Sequence, residues 1–132
     1  MLALAAMRLS SLAKLLSSAM PVGDFSAEIS RELAEHTRGL AALGCSAHVT
    51  LIEDADLILD RAGLGVLCRL FASGQLTAAE LAYTADALQM AERVVLSGPD
   101  IANDLAECTD PEINGPLTVA RALEIAGDGA AA

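Results

Sequence analysis

The sequence predicts an all-α protein, a compact irregular bundle of six or seven helices joined by short loops. Three observations carry this expectation. The apolar supply, 54% of the chain, is mostly Ala and Leu, with two Phe, one Tyr and no Trp. Ala and Leu are strong helix formers, whereas strands favour the β-branched and aromatic residues that are scarce here. Apolar residues also recur every three or four positions over most of the chain. Gly and Pro divide these runs, and Thr-x-x-Glu capping boxes open two of them.

Leu2, Ala5, Leu9, Leu12, Leu16 and Met20 form one apolar face, so residues 1–20 are expected to be an amphipathic first helix. The segment has no acid before Asp24, carries Arg8 and Lys14, and contains Ser10, Ser11, Ser17 and Ser18. That composition also fits a transit-type targeting segment, while the interrupting charges and the lack of an A-x-A site argue against a secretory signal. Pro21 and Gly23 break the run, and Asp24 or Ser26 can cap a second helix striped by Ile29, Leu33, His36, Leu40 and Leu43. Gly44 stops it.

Thr50 and Glu53 make the first capping box, followed by Ile52, Ala55, Leu59 and Ala62 at helical spacing. A strand over His48–Ile52 is the competing assignment, disfavoured because no second strand candidate is evident. Leu64 to Ser73 reads as a short helix closed by Gly74. Thr77 and Glu80 box the next, over residues 78–96. Further helices are expected over 99–108, started by Pro99, and over 117–126, with residues 127–132 a frayed tail. No repeat of fixed period and no long linker occurs, so residues 1–132 read as one domain.

Charge narrows the function classes. Eighteen acids against eight Lys and Arg give a net charge of −10. Phosphate neutralisation needs clustered cations, so direct nucleic-acid binding is not expected, nor is docking on anionic lipid. No segment is long and apolar enough to span a bilayer. Cys45, Cys68 and Cys108 are odd in number and widely spaced, which points to free thiols in a reducing compartment and to the cytoplasm.

Catalytic and metal-binding patterns are thin. Cys45 and His48 have half the spacing of a zinc site, but Cys68, Cys108 and His36 supply no matched second half. Residues 69–80 echo a calcium loop at Gly74, Leu76 and Glu80, yet Arg69 and Phe71 stand where oxygen ligands are required. Glu32 and His36 share a face, but a di-iron site needs Glu-x-x-His, twice. No nucleophile elbow, phosphate loop or H-E-x-x-H is present. No catalytic residue, metal or cofactor is assigned, and the protein is read as a non-enzyme.

The acidic faces remain. Asp100, Asp104 and Glu107 fall at i, i+4 and i+7, followed by Asp110 and Glu112, with no base between Arg93 and Arg121. Glu53, Asp54, Asp56 and Asp60 form a second group, with no base between Arg38 and Arg61. Like charges stacked on a helix cost a few tenths of a kcal/mol per pair. The sequence therefore suggests a binding protein whose acidic faces neutralise a basic partner, as an immunity protein, an antitoxin-like protein or a nucleic-acid mimic would. Asp100, Asp104, Glu107, Asp110 and Glu112 would carry this, with Glu53, Asp56 and Asp60 as a second patch. The competing expectation is a structural or adaptor protein, such as a secretion chaperone or a homo-oligomer, whose apolar stripes continue across subunits.

Overall fold

The computed structural model describes residues 7–43, 51–109 and 117–127, with residues 31, 32 and 35–43 described by backbone alone. Among the described residues helices dominate, as expected, but four short strands accompany them. The order is β1 (Met7–Arg8), α1 (Leu9–Leu16), α2 (Val22–Leu43), β2 (Leu51–Ile52), β3 (Leu57–Leu59), α3 (Arg61–Ala72), α4 (Ala78–Met90), β4 (Val94–Leu96), α5 (Pro99–Glu107) and α6 (Val119–Ala126). The all-α expectation thus holds only in its coarse form. Leu51–Ile52 and Leu57–Leu59 are strands rather than parts of a helix opened by the Thr50–Glu53 box, so the disfavoured strand assignment holds at Leu51–Ile52, and the end of the expected 78–96 helix is β4. The second helix begins at Val22, before the proposed caps Asp24 and Ser26.

The strands pair in parallel, β1 with β2 and β3 with β4. Parallel strands cannot be joined by a tight hairpin and need a crossover. Among the described residues each crossover holds a pair of helices, giving β1-α1-α2-β2 and then β3-α3-α4-β4. The two helix–helix turns share one hydrogen-bond pattern. Ser17, Ser18, Ala19 and Met20 N–H groups donate to the carbonyls of Ala13, Leu15, Lys14 and Lys14. Fifty-six positions on, Ser73, Gly74, Gln75 and Leu76 donate to Arg69, Phe71, Leu70 and Leu70. No period reveals this in the sequence, because α2 has 22 residues and α4 has 13.

Ser18 and Gly74 hold the same left-handed position in these turns, with φ of 63° and 81°. Glycine takes this conformation without the Cβ clash that a seryl residue meets. Ser18→Gly is therefore expected to leave stability unchanged or raise it by up to about 1 kcal/mol, and Gly74→Ala to lower it by about 1 kcal/mol. Urea denaturation of the two variants checks the pair. Losses of equal size and sign would contradict the shared geometry.

One apolar core runs through both units. Leu9, Leu12 and Leu15 of α1, Phe25 and Ile29 of α2, Leu59 of β3, Leu64, Leu67 and Cys68 of α3, and Leu81, Tyr83 and Leu88 of α4 are all buried. Ile101 and Leu105 of α5 and Ala122 and Ile125 of α6 complete it. Helix α3 packs most extensively on α6. Arg61 and Arg69 reach across to the α6 C-terminus, donating to the carbonyls of Ile125 (3.2 Å) and Ala126 (3.0 Å). Those carbonyls lack helical partners and sit at the negative end of the helix dipole, so guanidinium donors suit them. Among the described residues, no helix is long and apolar enough to cross a membrane.

Candidate interaction surface

The local signals read from the sequence are built as helix ends. The calcium-like segment is the α3 stop at Gly74 followed by a complete capping box, in which Glu80 N–H donates to Thr77 Oγ1 and Thr77 N–H to Glu80 Oε1. Asp60 caps α3 by accepting from Gly63 N–H at 2.8 Å. Asp54 performs the same service at a distance. Arg8, at the N-cap of α1, offers no side-chain bond, and Asp54 instead accepts from Ser10 N–H (2.9 Å) and Ser10 Oγ (2.7 Å). These bonds hold the Asp54 carboxyl below its usual range.

The first acidic stripe is divided by its partners. Asp104, only 20% exposed, binds Arg61 at 2.7 Å and Arg121 at 3.4 Å. Glu107 receives two bonds from the Arg121 guanidinium, 2.6 and 2.9 Å long. Arg121 also pairs with Glu124 at 3.4 Å. The stripe therefore tethers α5 to α3 and α6. Asp100, in the first turn of α5, is exposed and has no ion-pair partner among the described residues. Asp110 and Glu112 lie outside the described residues, as do Cys45 and His48.

The Glu107 network fixes one pH response. The Arg121 fork lowers the Glu107 carboxyl from its ordinary 4.5, outweighing burial. A depressed folded value contributes stability above about pH 4.5, and that contribution is lost as pH falls through the lower folded value. Both groups are substantially exposed, so the screened contribution is about 1 kcal/mol. Arg121→Met is expected to lower stability at neutral pH and to flatten its fall below pH 4.5. Urea midpoints measured from pH 7 to pH 3 would read this, and an unchanged slope would refute it.

Of the second group, Asp56 faces outward beside a sheet. In the β3–β4 ladder Ile58 sits opposite Val95, with Leu57 opposite Val94 and Leu59 opposite Leu96. Side chains alternate along a strand, so Leu59 enters the core while Ile58 and Val95 face solvent, 67% and 59% exposed. One rung back on the same face, Asp56 pairs with Arg93 at 2.8 Å, and Asp56 remains 80% exposed. The Arg93 guanidinium draws the Asp56 carboxyl below its usual range and is itself pushed up. Glu53 accepts from Arg93 N–H at 2.8 Å through its side chain, and its carbonyl accepts from Arg93 Nη1 at 2.9 Å. Exposed Ile52, Met90 and Glu92 lie on the same two chain segments.

Residues 51–60 and 90–96 thus combine apolar side chains with Glu53, Asp54, Asp56, Asp60 and Glu92, and Arg93 is the one cation within these two segments. The apolar half of this surface was missed from sequence, although the alternation Asp56-Leu57-Ile58-Leu59-Asp60 is its one local signal. Two other places carry less chemistry. Among the described residues no cluster of three or more His, Cys, Asp or Glu could hold a metal ion. A cleft of about 320 Å³ between the two helix–helix turns is walled by Leu15, Met20, Pro21, Val66 and Leu70, with Ser18 and Gln75 as its polar side chains.

These features define a helix-dominated protein with two parallel β-ribbons, one of which presents an acidic and apolar outer face. Comparison with protein-family models, curated proteins and solved structures found no match.

Proposed function

We propose that this protein is a non-enzymatic binding protein that engages a basic partner through the outer face of β3 and β4. The observation that carries this reading is the Ile58–Val95 rung, exposed beside Asp56 and Arg93 and bordered by further acids. An interface gains affinity from apolar groups removed from water and gains partner choice from the charges around them. The carboxylates keep acceptor capacity, since each has room for several hydrogen bonds and most make one or two within the chain. A partner with apolar side chains flanked by Lys or Arg matches this surface. A protein that handles nucleic acid offers such a cationic groove, where carboxylates would stand in for phosphates, so inhibition of that kind is the particular role proposed.

A second reading rests on the same rung. A two-stranded sheet with exposed apolar residues can pair with another copy of itself, giving a homo-oligomer. Sedimentation of the full chain separates the two, because self-association depends on protein concentration alone. For the first reading the probe is an alternating lysine–valine peptide, followed through backbone amide shifts. Shifts concentrated in residues 56–60 and 92–96 are expected. Shifts concentrated in residues 100–107, or spread evenly over all acidic segments, would sink the proposed surface.

A further inference from the structure

Cys68 and Cys108 are forty positions apart, and the fold brings them together. Cys68 lies on α3, Cys108 follows the last residue of α5, and both are buried. Cys68 shares a face of α3 with Arg61, Cys108 shares a face of α5 with Asp104, and the 2.7 Å Arg61–Asp104 ion pair joins the two faces, which brings the thiols close enough to interact. The Cys108 thiol also lies 3.4 Å from the Asp104 carbonyl, within its reach as a donor. Near the pair stand the Arg61 and Arg121 guanidinium groups and the Asp104 carboxylate. We propose that Cys68 and Cys108 are a peroxide-reactive thiol pair that closes to an internal disulfide.

The surroundings assign the two sulfurs different roles. Hydrogen bonding from Cys108, with lesser help from the two arginines, favours thiolate on Cys68 and outweighs burial and Asp104. The neighbouring Cys68 and burial push the Cys108 thiol up. Cys68 is therefore the nucleophile and Cys108 the resolving thiol. Hydrogen peroxide is the oxidant. The Cys68 thiolate attacks one peroxide oxygen, the O–O bond breaks, and hydroxide leaves as Cys68 becomes a sulfenic acid. Cys108 then attacks the Cys68 sulfur, the S–O bond breaks, and water leaves as the S–S bond forms. The balance is two thiols oxidised, one peroxide reduced and two waters released. Both thiols are buried, so peroxide reaches them through local opening, which helix ends such as the last turn of α5 undergo most readily.

The three cysteines fall on three different tryptic peptides, residues 39–61, 62–69 and 94–121. The full chain, fully reduced, is treated with hydrogen peroxide, alkylated, digested and mass-analysed, natively and in urea. Natively, peptides 62–69 and 94–121 should be crosslinked, two hydrogens lighter than their sum, and a dithiol should reverse this. In urea the selectivity should vanish, with crosslinks to Cys45 appearing as well. In Cys108→Ser, Cys68 should be trapped as a sulfenic acid by dimedone. Native crosslinking that mainly involves Cys45, or over-oxidation of single cysteines without a crosslink, would overturn the proposal.

Discussion

Leu59→Ala is expected to destabilise the protein by about 2–5 kcal/mol, whereas Ile58→Ala, one residue away, should cost well under 1 kcal/mol. Leu59 is fully buried, and Ile58 is two-thirds exposed. The difference follows from strand alternation, which turns neighbouring side chains to opposite faces. Truncating Leu59 removes apolar contact with the core and leaves a cavity beneath β3. Its Cδ1 lies 3.2 Å from the position a Cβ would take on Gly63, so the lost packing extends to the first turn of α3. Truncating Ile58 removes a side chain that is already in water and leaves the ladder to Val95 in place. Urea denaturation of both variants reads the contrast. Comparable losses would mean that residues 57–59 do not alternate as described.

Asp104→Lys is the second large effect, an expected loss of about 2–4 kcal/mol. The substitution removes the carboxylate that Arg61 and Arg121 share and puts a third cation between them. Asp104 is largely screened from water, so the repulsion is incompletely relieved by solvent. The loss stays below that for a fully buried pair because both arginines are substantially exposed. Asp104→Asn keeps the shape and one acceptor and should cost about half as much. Thermal unfolding of the two variants would test this, and a neutral Asp104→Lys would contradict the tether. Charge reversal at Asp104 or Glu107 thus perturbs the fold before it reports on any partner, so the binding surface is better tested elsewhere.

How much was legible in the sequence depended on how local the cause was. Helix starts and stops rest on interactions spanning a few residues. Thr77 with Glu80, Gly74 in its turn, Pro99 at the start of α5 and the short helix ending at Ala126 could therefore all be read directly. The strands could not. Each has only two or three residues, and the partner of β3 lies 37 positions away behind two helices. Ile52 and Leu59 at helical spacing made residues 52–62 look like a helix, although that spacing is also met by strands separated by a bend.

The acidic stripe shows the same limit in charge. Counting along the chain finds no base between Arg93 and Arg121, yet Arg61 reaches Asp104 from 43 positions away and Arg121 folds back on Glu107. An acid-only segment is therefore not an unpaired surface. The approach of Cys68 on α3 to Cys108 after α5 is non-local too, which is why odd, widely spaced cysteines gave no sign of it. The outer face of β3 and β4 was half visible: its acids could be read, but not the apolar rung among them.

The most direct measurement compares the affinity of the lysine–valine peptide for Glu92→Lys and for Asp100→Lys. Both residues are exposed acids, and both substitutions change net charge equally. A binding face on β3 and β4 predicts that Glu92→Lys weakens binding by about tenfold, with Asp100→Lys close to the parent, and that salt narrows the gap. Equal weakening by the two variants would mean that only net charge attracts the peptide, and would contradict a specific surface at the Ile58–Val95 rung.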